Sequence, residues 1–413
     1  MALCAMPRKA KPSAMRGCGF SRAGKVSASS SLPRVRWPSR CFSARAALPS
    51  GPETQMSSPD CAPLRLSAMP DDIYQSAPFG HSRVWDAQAR RAGYTPQAVE
   101  SIFNWAVVRD ELKGRCRASA TAGLSNFGNS NGAKFDLNQN YLPQAEATGR
   151  VSLHAGHVVQ SIGFEGGRYV VEVDQIGPEG SVKARRVLTA DRLYLAAGSV
   201  GTSQLLVKAR AQGTLAQLNE HVGEGWGTNG DAIATRSGSS VLGLAAQGAP
   251  CASLIHDDRG DAPVTLENWY LPLAPLDMGV TRSLAMTFDR EHRGRFRFDA
   301  ARQKVVLDWA PQGNDLALAQ AQRVNQRICE ATGTRPGWGK VLEPVTGADW
   351  TAHPLGGAVL GRATDGFGRV KGHAGLYVLD GALVPGNAGA VNPSLTIAAL
   401  AERNIADIIR RGG

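Results

Sequence analysis

Trp350-Thr-Ala-His-Pro-Leu-Gly-Gly357, then Gly375-Leu-Tyr-Val-Leu-Asp-Gly-Ala-Leu-Val-Pro-Gly386, then Val391-Asn-Pro-Ser-Leu-Thr396 and an alanine-rich tail decide how this chain folds. Leu376 to Leu379 is an apolar run too short for a helix and bounded by Gly375 and Gly381, so it reads as a buried strand ending at Asp380. A ligand-facing turn should follow. After Asn392 and Pro393, the apolar residues Leu395, Ala398, Ala399, Ile405, Ile408 and Ile409 recur near helical spacing, with Pro393 suited to a first turn. The free N–H groups at such a helix start favour negative charge. Taken singly, His353 reads as a core histidine before a proline turn, and Asn392 as a helix cap.

Together these motifs carry more. His-Pro-Leu-Gly-Gly, Leu-Tyr-Val-x-Asp-Gly and Val-Asn-Pro-Ser-Leu-Thr, followed by Ala-Leu-Ala-Glu-Arg-Asn, resemble the C-terminal region of glucose–methanol–choline (GMC) flavin oxidoreductases, most closely the cholesterol oxidase branch. The resemblance runs from about residue 75 to the C-terminus. It implies an α/β fold, a GMC-type FAD domain remnant joined to an antiparallel-sheet substrate domain of α+β character. The implied cofactor is FAD. His353 and Asn392 are expected to face the flavin ring, with further cofactor contacts at Val159, Ala197, Gly198, Asp380, Gly381 and Pro393. The implied substrate is a small-molecule alcohol, a sterol 3β-hydroxyl or a similar secondary alcohol, with molecular oxygen or another acceptor taking the electrons.

Other segments extend the resemblance. Gly128 to Leu142 is similar to the Gly-Asn-x-x-Gly-Lys-x-x-Leu-Asp-x-x-Tyr-Leu segment of cholesterol oxidases. Its opening also matches the G-x-S-x-G hydrolase elbow, but the polar flanks lack the strand and helix that the elbow needs. Arg192-Leu-Tyr-Leu-Ala-Ala-Gly-Ser-Val-Gly201 reads as a buried strand entering a glycine turn and a helix, with Ala196, Ala197 and Gly198 small enough for a close backbone or ligand approach. Val222-Gly-x-Gly-Trp-Gly-x-Asn-Gly230 echoes the same branch. In Thr265-Leu-Glu-Asn-Trp-Tyr270 a carboxylate interrupts an apolar strand. Burial would raise the pKa of Glu267 and suit it to proton transfer, whereas an edge strand would leave it in solvent. Alignment with the family strand places Glu267 on the active-site carboxylate, implying a Δ5–Δ4 isomerase step.

Composition narrows the class. The net charge of +11 lies in the leading segment, since residues 1–50 hold ten Lys and Arg with no acid, and the rest carries 36 against 35. The body therefore has no electrostatic footprint for nucleic acid. No apolar run is long enough to span a membrane, and no apolar core of a secretory signal is present. Residues 1–70, rich in Ser, Pro, Ala and Arg, show no periodicity and are expected to lack packed structure, as a transit peptide or an unrelated start. Beyond them the expected parts are a helical and loop segment at 71–142, cofactor-domain parts at 143–230 and 341–413, and a substrate-binding sheet at 231–340. Seven cysteines without C-x-x-C fit neither a disulfide framework nor a zinc site.

Within the body, helices are expected over 83–93 and 96–109, with Trp85, Ala89, Ile102 and Trp105 on apolar faces. Short strands are expected at 151–154, 158–163, 169–174 and 182–187. On such a strand the rings of His154 and His157 would point to opposite faces, which weighs against a metal pair. A flavoenzyme of this resemblance should also carry a strand, G-x-G-x-x-G, a helix and an acidic residue about 20 positions on. Gly17-Cys-Gly19 is the early candidate, and it lacks the strand, the third glycine and the acid. The dinucleotide-gripping half is thus expected to be missing. Two alternatives stay open, a non-catalytic remnant and a GMC dehydrogenase for another alcohol.

Overall fold

The computed structural model describes residues 2–6, 66–125, 127–238, 247–270, 279–337 and 350–412. Two parallel strands, β6 (Arg192–Ala196) and β15 (Leu376–Val378), lie at the centre of one half, in a register that sets Leu376 opposite Leu193 and Val378 opposite Leu195. Alternation sends their side chains two ways. Leu193, Leu195, Leu376 and Val378 enter the largest apolar cluster, which also receives Leu205, Leu206 and Val207 from α5 (Gly198–Ala211). Tyr194 and Tyr377 stack at 4.7 Å on the opposite face, where Ile408 of α7 (Ser394–Arg410) covers them. Burial on both faces is what a parallel pair requires.

The far edge of β6 is taken by β1 (Ala2–Met6), which pairs with it antiparallel. This departs from the expectation of no packed structure over residues 1–70. Residues 7–65 of that segment lie outside the described residues.

A meander of β3 (His157–Glu165), β4 (Arg168–Ile176) and β5 (Val182–Ala190) packs Ile162, Tyr169, Val171 and Val173 into the same cluster. So does a smaller sheet of β7 (Glu224–Trp226), β12 (Gly294–Asp299) and β13 (Lys304–Asp308), through Trp226 and Phe296. Residues 294–308 therefore pack with the cofactor-type half, although the sequence groups them with the substrate sheet at 231–340.

The second half is a six-stranded antiparallel sheet in the order β14-β8-β11-β10-β9-β2. Its strands are β2 (Gln97–Ala98), β8 (Asp231–Ser237), β9 (Ser253–Asp257), β10 (Val264–Trp269), β11 (Val280–Thr287) and β14 (Arg335–Gly337). Helices α2 (Gly80–Arg91) and α6 (Asp315–Thr332) cover one face, packing Trp85, Ala89, Val324 and Ile328 on Ala232, Ile255, Val264, Leu266 and Ala285. Arg236 is fully buried there, donating to Gln88 Oε1, Asn325 Oδ1 and Ser283 Oγ and so joining sheet to helices. The short helices α1 (Asp71–Tyr74), α3 (Trp105–Leu112) and α4 (Tyr141–Ala147) complete the segment that precedes the meander.

Three local expectations fail for identifiable reasons. The helix expected over 96–109 begins only at Trp105, because Asn104 caps it by accepting from the Ala106 N–H while Gln97 and Ala98 extend the sheet edge. Residues 151–154 form no strand. His154 therefore escapes strand alternation, and its ring lies 5.5 Å from that of His157 instead of on the opposite face. Among the described residues no group of three or more His, Cys, Asp or Glu could hold a metal ion.

The turn into β8 brings its backbone close to β11. Gly230 has φ +68°, and a Cβ there would stand 2.1 Å from the Thr287 carbonyl oxygen. Gly230→Ala should lower stability by about 1–3 kcal/mol or more, the cost of a strained backbone with contact on top. Urea denaturation measures this, and an unchanged midpoint would show that the turn relaxes freely.

Candidate active site

Three separate segments meet on the sheet face that the helices leave free. Along β10, Val264 and Leu266 point to α2 and α6, so alternation turns Thr265 and Glu267 the other way. β10 lies inside the sheet, between β11 and β9, and Glu267 is 4% exposed. The solvent-facing edge position is thus not where this carboxylate sits. Its neighbours across the sheet are Leu284 and Leu254.

Burial pushes the Glu267 carboxyl up to about 7, Asn392 and His353 pull against that rise, and the nearby Asp231 charge adds to it. The Cys251 thiol also lies against Glu267, and burial together with that carboxylate drives it well above its ordinary range.

His353 comes from the loop that ends in Pro354. Its Nδ1 lies 2.9 Å from Asp231 Oδ1, and its backbone N–H donates to Asp231 Oδ2 at 3.1 Å. Asp231, the first residue of β8, is fully buried, while the His353 side chain keeps 16% exposure. Thr351 Oγ1 and the Ala352 N–H also donate to Asp231 Oδ2, at 2.9 and 2.8 Å. Among the described residues no hydrogen bond is formed by His353 Nε2.

Asn392 stands exposed just before Pro393, and its Nδ2 donates a short hydrogen bond to Glu267 Oε1. Ala390, two residues before Asn392, adopts the left-handed region at φ +61° with its side chain buried. Pro393 stands at the N-cap position of α7, whose start has no side-chain cap and no acidic residue in its first turn. Val391 and Leu395 beside it are 46% and 53% exposed, an apolar rim around free backbone N–H groups.

The remaining cofactor candidates lie elsewhere. Asp380 ends β15, where its Oδ2 accepts from the Gly198 N–H at 3.0 Å and from Thr202 Oγ1, and its Oδ1 from the Ala382 N–H. Burial raises its pKa, with these donors opposing the rise. Ala197 and Gly198 form the turn into α5, Gly198 at φ +76° with open space where a side chain would stand. Gly381 lies under Leu355 and Ile397, and Val159 packs at the rim of the meander. None of these five touches the His353, Glu267 and Asn392 group through a hydrogen bond among the described residues.

Sequence reasoning missed Asp231 and Asn229. Asn229, at φ +58° and fully buried, accepts from the Ala388 N–H at 2.8 Å and donates to the Val391 carbonyl at 3.0 Å, so it fixes the loop carrying Asn392. The signal was the Asn-Gly-Asp turn before an apolar strand. A buried acid opening a strand is out of place for the same reason as Glu267.

The fold joins a parallel two-strand seam and a meander to an antiparallel sheet, and His353 and Asn392 meet at that sheet beside Asp231 and Glu267. Residues 291–401 match the family model described as GMC oxidoreductase. The chain is 31% identical over 327 residues to a cholesterol oxidase of Mycobacterium tuberculosis, covering 66% of this chain and 56% of that protein. It is 25% identical over 344 residues to a cholesterol oxidase of Acinetobacter baumannii, covering 70% and 61%. Among solved structures, pyridoxine 4-oxidase from Mesorbium loti superposes with TM-score 0.53 at 16% identity, covering 84% of this chain and 72% of that one. A fungal aryl-alcohol oxidase gives TM-score 0.55 at 13% identity, covering 84% and 77%. Residues 291–401 thus match the GMC oxidoreductase family, whose members bind FAD, and the chain as a whole is similar to curated cholesterol oxidases. It spans little more than half the length of the M. tuberculosis relative.

The raised Glu267 pKa has a sign that stability measurements can read. Between about pH 4.5 and 7 the folded state binds the Glu267 proton more than the unfolded state does, so stability falls as pH rises through that window and is flat above it. Glu267→Gln lacks this loss. Its stability advantage over wild type should be larger at pH 8 than at pH 5, by up to the order of 3 kcal/mol. An equal difference at both pH values, from urea denaturation, would mean that Glu267 titrates like an exposed acid.

Proposed function

We propose that the protein oxidises a secondary alcohol, a sterol 3β-hydroxyl or a close analogue, by hydride transfer to FAD, and that Glu267 isomerises the resulting Δ5-ketone to the conjugated Δ4 form. The observation that carries this is the convergence of His353, Glu267 and Asn392 from three distant segments onto one sheet face. The sterol is favoured by the curated relatives, whose names are cholesterol oxidases.

The ring end of FAD fits the residues present. An uncapped α7 start, an exposed Asn392 and the apolar rim of Val391 and Leu395 suit a flat, partly apolar group that becomes anionic. The pyrophosphate end has no counterpart among the described residues, because α5, the helix that follows β6, has its Gly198 N–H bonded to Asp380. When bound, FAD supplies the hydride acceptor, and molecular oxygen or another acceptor reoxidises it.

The protein's own residues supply the rest. His353 receives the hydroxyl proton as the C–H bond breaks. Asn392 orients the reacting centre and holds Glu267. With its pKa near 7, Glu267 is able both to take a proton from C4 and to return it at C6.

Two substitutions test this with a 3β-hydroxy-Δ5 sterol and the FAD-loaded protein. His353→Ala should slow flavin reduction on the order of 10²–10⁴-fold while FAD binding is kept. Equal loss of both would make His353 structural. Glu267→Gln should release the unconjugated ketone, and an unaltered product would take Glu267 out of the mechanism.

A further inference from the structure

We infer that Asp231 is the positioning residue that decides which nitrogen of His353 takes the substrate proton. This rests on the alcohol-oxidising reading for the identity of that proton, though not for the geometry. Asp231 is fully buried, and its two oxygens have divided tasks. Oδ2 receives the backbone N–H groups of Ala352 and His353 at 2.8 and 3.1 Å, together with Thr351 Oγ1. Oδ1 meets the His353 ring at Nδ1, 2.9 Å away. A carboxylate only accepts, so Nδ1 must carry the proton of the neutral ring. Nε2 is then left with its lone pair, the one ring position able to accept a proton from an alcohol. As that proton arrives, the adjacent buried carboxylate stabilises the imidazolium.

The divided tasks make Asp231→Asn a directed test rather than a simple deletion. The two backbone N–H groups fix the side chain that replaces Asp231, because only its oxygen can face them. Its NH₂ group is thereby turned toward His353 Nδ1, where it donates. The ring must move its proton to Nε2, and a protonated Nε2 has no lone pair for the alcohol. Volume, burial and backbone contacts stay nearly the same, so the variant separates tautomer from fold.

The experiment uses the full chain labelled with ¹⁵N-histidine and long-range ¹H–¹⁵N correlation at pH 8, where His353→Gln identifies the ring signals among the eight histidines. Wild type should show a protonated Nδ1 and a lone-pair Nε2, and Asp231→Asn the reverse. In the FAD-loaded enzyme the variant should lose kcat on the order of 10²–10⁴-fold with little change in KM. A wild-type ring with its proton on Nε2, or charged at pH 8, overturns the inference whether or not the variant folds. So does a reversed tautomer that leaves kcat intact. The expected tautomers in a protein that oxidises no alcohol would uphold the positioning and overturn the alcohol reading alone.

Discussion

Everything at the candidate site depends on one turn between β7 and β8. Asn229 and Gly230 both adopt left-handed backbone, and the turn they make lets consecutive residues reach in different directions. Asn229 reaches the 386–391 loop through its backbone and side chain, donating from its N–H to Gly386 and exchanging bonds with Ala388 and Val391. Asp231, two positions on, holds the 351–353 loop. Gly227, just before, exchanges backbone hydrogen bonds with Leu355 in both directions. The two loops carrying His353 and Asn392 are thus braced from one point, and that point opens the sheet on which Glu267 lies.

The parallel seam is tied in a similar way at its C-terminal end. Asp380 bonds the start of α5 and the turn after its own strand, so the ends of β6 and β15 are joined by one buried carboxylate with three donors. Such a group is costly to bury and becomes worthwhile only with its donors in place. Asp380, for which the resemblance implies a cofactor role, thus has a structural task in this fold. Gly356 belongs to the same construction, since its N–H donates to the Gly381 carbonyl and any side chain there would collide with the Gly225 backbone.

What the sequence made legible was local or motif-borne. The strand at Leu376–Val378, the meander and the Ser394–Arg410 helix follow from short apolar runs and helical spacing, signals that hold whatever surrounds them. His353, Glu267 and Asn392 were named through resemblance, and the chain brings these three together. Asp231 stayed hidden because its work is done through a contact 122 residues away, while locally it is an ordinary acid after an Asn-Gly turn. Whether Glu267 lies at an edge or inside depends on strand order, which a strand's own residues do not encode. The missed start of α3 is a milder case, in which a capping asparagine outweighed an apolar pattern.

Two carboxylates, an imidazole and an amide share this buried face, and their arrangement gives each acid a different character. Asp231 is surrounded by donors and faces the ring. Glu267 receives one amide donor and sits among Leu284, Leu254 and the Cys251 thiol, so burial dominates and its proton is held up to about 7. The site thus sets a hydrogen-bond acceptor beside the ring and a proton held up by burial side by side. On the proposed chemistry the acceptor serves His353 and the movable proton serves the isomerisation. Both acids lie on the antiparallel sheet, while the surface suited to the flavin ring lies on the α7 start in the other half. Separate supports suit the proposed chemistry, in which the hydride would go to a flavin at the α7 start and the hydroxyl proton to His353, which the sheet acid Asp231 holds.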